Sequence, residues 1–130
     1  MVRLRLAATD SADINHIVQI DRHCFGWPWN RVYFRGELAS RQAINITLKT
    51  VDDENRQKVI GYIICRLVNK ELHILRIAVK PQWRGHGLAG RLLARAFGQA
   101  AKSGARSAYL EVRPSNKSAI ALYHRKGFRL

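Results

Sequence analysis

The stretch that most constrains this chain is Gln82-Trp83-Arg84-Gly85-His86-Gly87-Leu88-Ala89-Gly90, set between an apolar run and a long helical pattern. The run before it, Leu72 to Val79, reads as a strand, and Lys80-Pro81 closes it. After it, Leu88, Leu92, Leu93, Ala96, Phe97 and Ala100 recur at spacings of three and four, which predicts a helix that Gly104 stops. A strand, a glycine turn and a helix start together make an anion site. Glycine has no Cβ, so its backbone can approach a ligand closely. The first N–H groups of the helix lack an intrahelical acceptor, and the helix dipole favours negative charge beside them. Arg84 adds a positive charge next to the turn. No Gly-Lys-Ser/Thr follows, so this is not a Walker loop. Nor is it a dinucleotide fingerprint, which needs G-x-G-x-x-G and an acidic residue about 20 positions on. The plainer reading of the same residues is a strand-to-helix turn with capping glycines.

The rest of the chain supplies a sheet for this turn. Val2, Leu4 and Leu6 alternate with Arg3 and Arg5, a strand with one buried face. Thr9-Asp10-Ser11 offers a helix cap, and Ile14, Ile17, Val18 and the stem of Asp21 mark a first helix that ends near His23 to Gly26. Pro28, within Trp27-Pro28-Trp29-Asn30, bars helical backbone at the residue before it. Val32 to Leu38 reads as a short second helix, and Ile44, Ile46 and Leu48 as a second strand. Val59 to Leu67 is a third strand, apolar on both faces and therefore central. Leu72 to Val79 is the fourth and Ser107 to Arg113 the fifth. Pro114-Ser115-Asn116 caps a fourth helix, Lys117 to Lys126, and Phe128 begins something extended. The order β-α-α-β-β-β-α-β-α-β predicts a single α/β (α+β) domain over residues 1–130.

The spacing Gln82-x-x-Gly85-x-Gly87, with Ala89 two further on, resembles motif A of the GNAT acetyltransferases, whose turn holds the pyrophosphate of acetyl-CoA. The run Leu110-Glu111-Val112-Arg113, Ser115-Asn116, Ala119-Ile120, Leu122-Tyr123 and Gly127-Phe128 is similar to motif B of the RimI-type branch, which acetylates the N-terminal alanine of a small-subunit ribosomal protein. Together the matches cover Leu72 to Phe128 without a gap, and Trp27-Pro28-Trp29 resembles that branch's Pro-Trp segment. The resemblance implies a mixed central sheet flanked by helices, acetyl-CoA as co-substrate without a metal, and a protein N-terminal α-amine as acceptor. It implies that amides of Arg84, Gly85, His86, Gly87, Leu88, Ala89 and Gly90 hold the pyrophosphate. By the same resemblance, the backbone of Ile77, Ala78 and Val79 holds the acetyl and pantetheine part, and Asn116 also contacts CoA. It makes Glu111 the base and Tyr123 the acid. Two other readings stand beside it: acetylation of a small amine or a lysine, and a non-catalytic basic module on the ribosome or RNA.

The residues themselves speak to these roles. Glu111 falls in an apolar strand, where a carboxylate is costly unless paired or hydrated. Burial there would raise its pKa and suit it to act as a base, while a salt bridge to Arg113 is the structural alternative. Asn116 and Tyr123 are seven apart on a helix, so they share a face about 10 Å apart. Asn116 reads as the N-cap whatever else it does. Tyr123 either packs in the core or protonates a leaving thiolate, since a phenol of pKa about 10 can donate to one whose conjugate acid is near 8.5. His23-Cys24 reads as a structural cysteine beside a histidine, and His73 and His86 have no metal-ligand spacing. Trp27 and Trp29 either line a substrate groove or pack in the core or at its rim.

Charge and cysteines bound the setting. Twenty-three Lys and Arg stand against nine Asp and Glu, a net of +14, which attracts CoA phosphates, RNA or an acidic surface. Two distant cysteines, no apolar signal core and no apolar run of about 20 residues predict a cytoplasmic chain with no membrane partner. No specific nucleic acid is expected. Members of the resembled family continue past Gly-Phe with two more strands, and this sequence stops at Leu130. The last strands are thus expected to be missing, which leaves the fifth strand with an open edge and the chain inclined to homodimerise through it.

Overall fold

In the computed structural model, which describes residues 1–129, the alternating N-terminal residues form β1 (Arg3–Ala8). Asp10 then opens a reciprocal cap. It accepts from the backbone of its third following residue, and Asp13 accepts from the Asp10 N–H at 3.0 Å. Behind the cap runs α1 (Ile14–Cys24), which buries Ile14, Ile17, Val18 and Ile20 together with Asp21. After the Pro28 break, Asn30 caps α2 (Arg31–Ala39) by accepting from Tyr33 N–H at 2.8 Å. Three antiparallel strands follow: β2 (Ala43–Val51), β3 (Gln57–Val68) and β4 (Glu71–Val79). Next come α3 (Leu88–Lys102), a short β5 (Ser107–Leu110) and α4 (Lys117–Arg125).

The sheet runs in the order β1-β2-β3-β4-β5, antiparallel except for the parallel pair β4 and β5. β3, apolar on both faces, is the central strand as predicted. One face packs Ile46, Leu48, Ile60, Ile63 and Leu72 under Leu92, Leu93 and Ala96 of α3. The other packs Tyr62, Ile64 and Ala78 under Ile17, Val18 and Phe34 of α1 and α2. Each fully buried Leu or Ile contributes about 1.5–3 kcal/mol, so Leu92 and Leu93 suffice to seat α3 and fix where its N-terminus points. Cys65 lies inside this core, and burial pushes its thiol up to about 12. Both cysteines are free thiols.

One predicted element is shorter than expected. The fifth strand ends at Leu110, not Arg113, and Phe128-Arg129 is not a strand. β5 finds partners only at Glu71–Ile74, and beyond Ile74 the β4 strand bulges away, so Glu111 onward has nothing to pair with. Leu130 lies outside the described residues.

Candidate active site

The site begins on an edge of β4 that is only half used. At Leu75 the β3–β4 register slips: Ile64 faces Arg76 while Cys65 faces Ile74. Past this bulge, residues 75–79 have β3 on one side and no paired strand on the other among the described residues. Peptide groups alternate along such a strand. Lys80 N–H donates to the Ile60 carbonyl at 2.8 Å, so Lys80 and Ala78 face β3. Ile77 and Val79 therefore turn their N–H and C=O groups to the open side. The predicted trio divides accordingly, with Ile77 and Val79 on the open edge and the Ala78 peptide spent in the sheet. Gly61 makes the close pairing here: a Cβ on it would come within 2.9 Å of the Ala78 carbonyl.

This edge runs into the glycine turn. Pro81–Trp83 makes one 3-10 turn, then Gly85 (φ 83°) and Gly87 (φ 72°) take left-handed backbone. A Cβ at either would meet nothing within 4 Å. Packing therefore does not require these glycines; backbone conformation does, and their open side admits a ligand. Gly87 is the N-cap of α3 and offers no side chain to the helix; the first turn holds no acid. The first intrahelical bond is Arg91 N–H to the Gly87 carbonyl, 3.2 Å. The amides of Leu88, Ala89 and Gly90 precede it and head the helix toward the open side, as an anion cradle requires. Arg84, Gly85 and His86 are exposed around it. Arg84 turns back rather than onto these amides. Its Nε donates to the Val79 carbonyl at 3.1 Å and its Nη2 to Cys24 Sγ at 3.2 Å, pinning the end of α1 to the end of β4. Cys24 is thus half-buried and in contact with a cation.

The second predicted motif is only partly as expected. Glu111 is exposed and lies past the end of β5, so burial cannot be what fits it for proton transfer. An exposed carboxylate needs no protein partner, and no ion pair with Arg113 forms among the described residues. Asn116 is the N-cap of α4, accepting from Ala119 N–H at 3.3 Å. Tyr123 is half-buried, edge-on to Phe128 at 5.9 Å, and burial raises its pKa above the ordinary 10.0. The phenol therefore keeps its proton well into alkaline pH. α4 is docked on the glycine-turn end of α3: at Gly90 a Cβ would touch Lys126 Cε at 3.2 Å. Tyr123 and the glycine turn are thus parts of one packed unit, whereas no hydrogen bond links Glu111 to Tyr123.

A buried network that sequence reasoning passed over supports the loop between α1 and α2. Asp21 is 0% exposed. It accepts from the Tyr62 hydroxyl, from the Trp29 N–H at 2.7 Å and from both Arg76 Nε (2.8 Å) and Nη2 (2.9 Å). Burial, then the bond to Asp21, raises the Tyr62 pKa, so this hydroxyl stays a donor. Arg76 also donates to the Trp27 carbonyl at 2.8 Å and lies 3.7 Å over the Phe25 ring. The guanidinium thereby fastens residues 25–29 to β4 beside the bulge. Trp29 packs inward on Tyr33 and Phe34, and Trp27 projects, 75% exposed. The sequence held the signal: an Asp on the apolar face of a helix and an Arg inside an apolar strand satisfy each other.

Elsewhere, an open groove of about 570 Å³ lies between β5, the C-terminal half of α3 and Phe128, away from the glycine turn. Among the described residues no cluster of three His, Cys, Asp or Glu could hold a metal, and no helix is long and apolar enough to cross a membrane.

A half-open strand edge leading to a glycine turn at an uncapped helix N-terminus is the geometry of a site for a phosphate-bearing ligand. The chain belongs to the acetyltransferase (GNAT) family, whose pattern it matches over residues 14–128. Its relatives include the [ribosomal protein bS18]-alanine N-acetyltransferase of Salmonella typhimurium, 31% identical over 123 residues, which span 95% of this chain and 79% of that protein. The crystal structure of the ribosomal-protein-S18-alanine N-acetyltransferase from Escherichia coli superposes with a TM-score of 0.85 at 26% identity, covering 98% of this chain and 78% of that one. Arabidopsis thaliana NAA60 in complex with acetyl-CoA shares the fold, with a TM-score of 0.84 at 20% identity over 98% and 87% of the two chains.

Proposed function

We propose that this chain transfers the acetyl group of acetyl-CoA to the N-terminal α-amine of a protein, the N-terminal alanine of a small-subunit ribosomal protein in particular, and does so in the cytoplasm. The observation that carries the reading is the open β4 edge at Ile77 and Val79 running straight into the uncapped amides of α3. The pyrophosphate rests on the amides at Leu88 to Gly90, with Arg84 to Gly87 shaping the approach. The pantetheine arm lies along the open edge, beside Ala78, and pairs with the peptide groups of Ile77 and the N–H of Val79, whose carbonyl Arg84 already holds. Asn116, on the α4 side of the opening, adds a polar contact to CoA. The acceptor enters past the exposed Trp27, whose carbonyl Arg76 holds next to the β4 bulge.

The amine nitrogen attacks the thioester carbonyl carbon, and a β4 N–H stabilises the developing oxyanion. Glu111 takes the amine proton through water; an α-amine of pKa about 8 needs little help to lose it, whereas a lysine at about 10.4 needs more. The C–S bond then breaks, and the sulfur leaves as a thiolate with the bonding electron pair, hydrogen-bonded by the Tyr123 hydroxyl. A phenol raised above 10 is a weak acid, so Tyr123 acts chiefly by hydrogen bonding to the thiolate as it forms. The relatives' names support the choice of acceptor.

A peptide array assayed for acetyl transfer by mass tests this. Peptides beginning with alanine gain one acetyl group on the α-amine; acetylation of lysine side chains instead overturns the acceptor. With such a peptide, Glu111→Gln lowers kcat by about a hundredfold. Tyr123 must be protonated to serve, and its raised pKa places loss of that role above pH 10. The parent rate therefore holds to pH 10 and falls beyond it, and Tyr123→Phe is slower and lacks that alkaline limb. A Tyr123→Phe profile that overlays the parent removes the acid.

A further inference from the structure

Charge in this chain is divided between its two halves. Residues 1–71 hold 11 Lys and Arg and 8 Asp and Glu; residues 72–130 hold 12 and 1, the lone acid being Glu111. The ion pairs follow the same division. Among the described residues every cation within 4.0 Å of a carboxylate lies at or before Arg76. From Lys80 to Arg129 no cation meets a carboxylate of the described residues in this way. On α3 the exposed Arg91, Arg95 and Lys102 fall within about 40° of one another around the helix, at 100° per residue, and so make one stripe. Lys126 lies against the first turn of the same helix at Gly90, and Arg129 follows Phe128, which packs on Phe97 of α3 at 5.9 Å.

Acetyl-CoA does not account for this stripe. At 1.5 Å per residue Arg95 lies about 10 Å and Lys102 about 20 Å along α3 from the amides that cradle a phosphate. Nor does the face suit a protein or a bilayer. A protein interface needs an apolar centre, and a membrane-binding helix needs apolar side chains to insert. The large apolar residues exposed in this chain are Met1, Val2, Trp27, Val32, Tyr33 and Tyr109, none on α3 or α4. What remains is a repeating anion of low apolar character. Arginine, eight of the 12 cations from Leu72 onward, is the side chain best matched to phosphate.

We propose that the outer face of α3, with Arg91, Arg95 and Lys102 as its stripe and Lys126 and Arg129 at its margin, docks the phosphate backbone of RNA without reading its sequence. The choice of RNA over DNA rests on the ribosomal acceptor, whose target would arrive already associated with RNA; the charge argument itself does not. The docking holds the enzyme near its substrate through counterion release, so it weakens steeply as salt rises.

The test is fluorescence anisotropy of a labelled single-stranded RNA 20-mer titrated with the full chain from 50 to 200 mM salt, without acetyl-CoA. The parent binds with a steep negative salt slope. Arg95→Gln/Lys102→Gln makes that slope shallower by about 1.4, two phosphate contacts at about 0.7 each, and leaves kcat/KM on a free alanine-starting peptide unchanged. If circular dichroism shows the double variant misfolded, Lys102→Gln alone is expected to shift the slope by about 0.7. An unchanged slope in a folded variant overturns the proposal. So does binding of polyglutamate, or of vesicles containing phosphatidylserine, as tight as that of RNA at equal charge concentration. Tighter binding to duplex DNA than to RNA overturns the choice of nucleic acid. Failure of peptide acetylation with RNA binding intact would strike at the acceptor reading and not at this surface.

Discussion

Gly87 stands at φ 72° with open space where a side chain would go. A valine there meets no neighbour, but its branched Cβ opposes left-handed backbone and blocks the approach of a phosphate to the α3 amides. Gly87→Val should therefore weaken acetyl-CoA binding at least tenfold by calorimetry while barely moving the unfolding midpoint beyond the strain of one turn, about 1–2 kcal/mol. Unchanged affinity would take the glycine turn out of the site. Asp21 presents the opposite balance, because its role lies in packing and charge. Asp21→Asn leaves the Arg76 guanidinium without its counter-ion in a mostly buried place. Removing one partner of a buried pair costs about 3–5 kcal/mol, so urea unfolding of Asp21→Asn should lose stability on that scale. Asp21→Leu/Arg76→Met should recover much of it, because two apolar groups need no pairing. Strict additivity of the two single changes would show that the pair is not coupled. The double variant also frees Trp27 and its loop, so the KM for a peptide acceptor should rise even where stability is recovered.

The β3–β4 pair is the element on which the cofactor edge depends, and Gly61 sets its closeness. A Cβ on Gly61 would stand 2.9 Å from the Ala78 carbonyl oxygen and 3.3 Å from Val79 Cγ2, so Gly61→Ala must push the strands apart. We expect a loss of about 1–3 kcal/mol, the usual range for overpacking, together with a raised KM for acetyl-CoA, because Ile77 and Val79 move with Ala78. A variant with parental melting temperature and KM would show that the strands accommodate a methyl group at no cost. How far such elements were legible in the sequence follows from what determines each. Alternation along Ile44 to Leu48 and the two-faced Val59 to Leu67 are local, and they gave β2 and the central place of β3. The turn from Gln82 to Gly90 was legible because glycine is needed for positive φ and little else fits. The end of β5 was not legible: it depends on the bulge at Leu75 in another strand, which no residue near Leu110 encodes. The exposure of Glu111 follows from that end and was misread with it. The inward turn of Arg84 was hidden too, since its acceptors are a carbonyl of β4 and a sulfur 60 residues earlier.

At the scale of the whole molecule, the sheet ends on β1 at one edge and on the shorter β5 at the other. The outer edge of β5 carries peptide groups with no strand beside them among the described residues, and Tyr109 on it is 51% exposed. Next to it lies the open groove lined by Phe97, Ala100, Leu110 and Phe128. An edge with free N–H and C=O groups beside an apolar groove is a template for another strand, and a second copy of the same chain is the partner always at hand. Such an edge predicts dimerisation through Ser107–Leu110 at micromolar concentration, or else a melt below the ordinary mesophile range. Sedimentation with a thermal melt beside it separates these from the alternative. Dimerisation should give way on Tyr109→Lys, because a charge on an exposed edge opposes pairing. A concentration-independent monomer that melts cooperatively at about 45–65 °C, the ordinary mesophile range, would mean that β5 needs no partner. The groove would then be a stable surface feature, and the four-residue length of β5 would itself be what protects the edge, since so short a strand offers too few hydrogen bonds to hold a second chain.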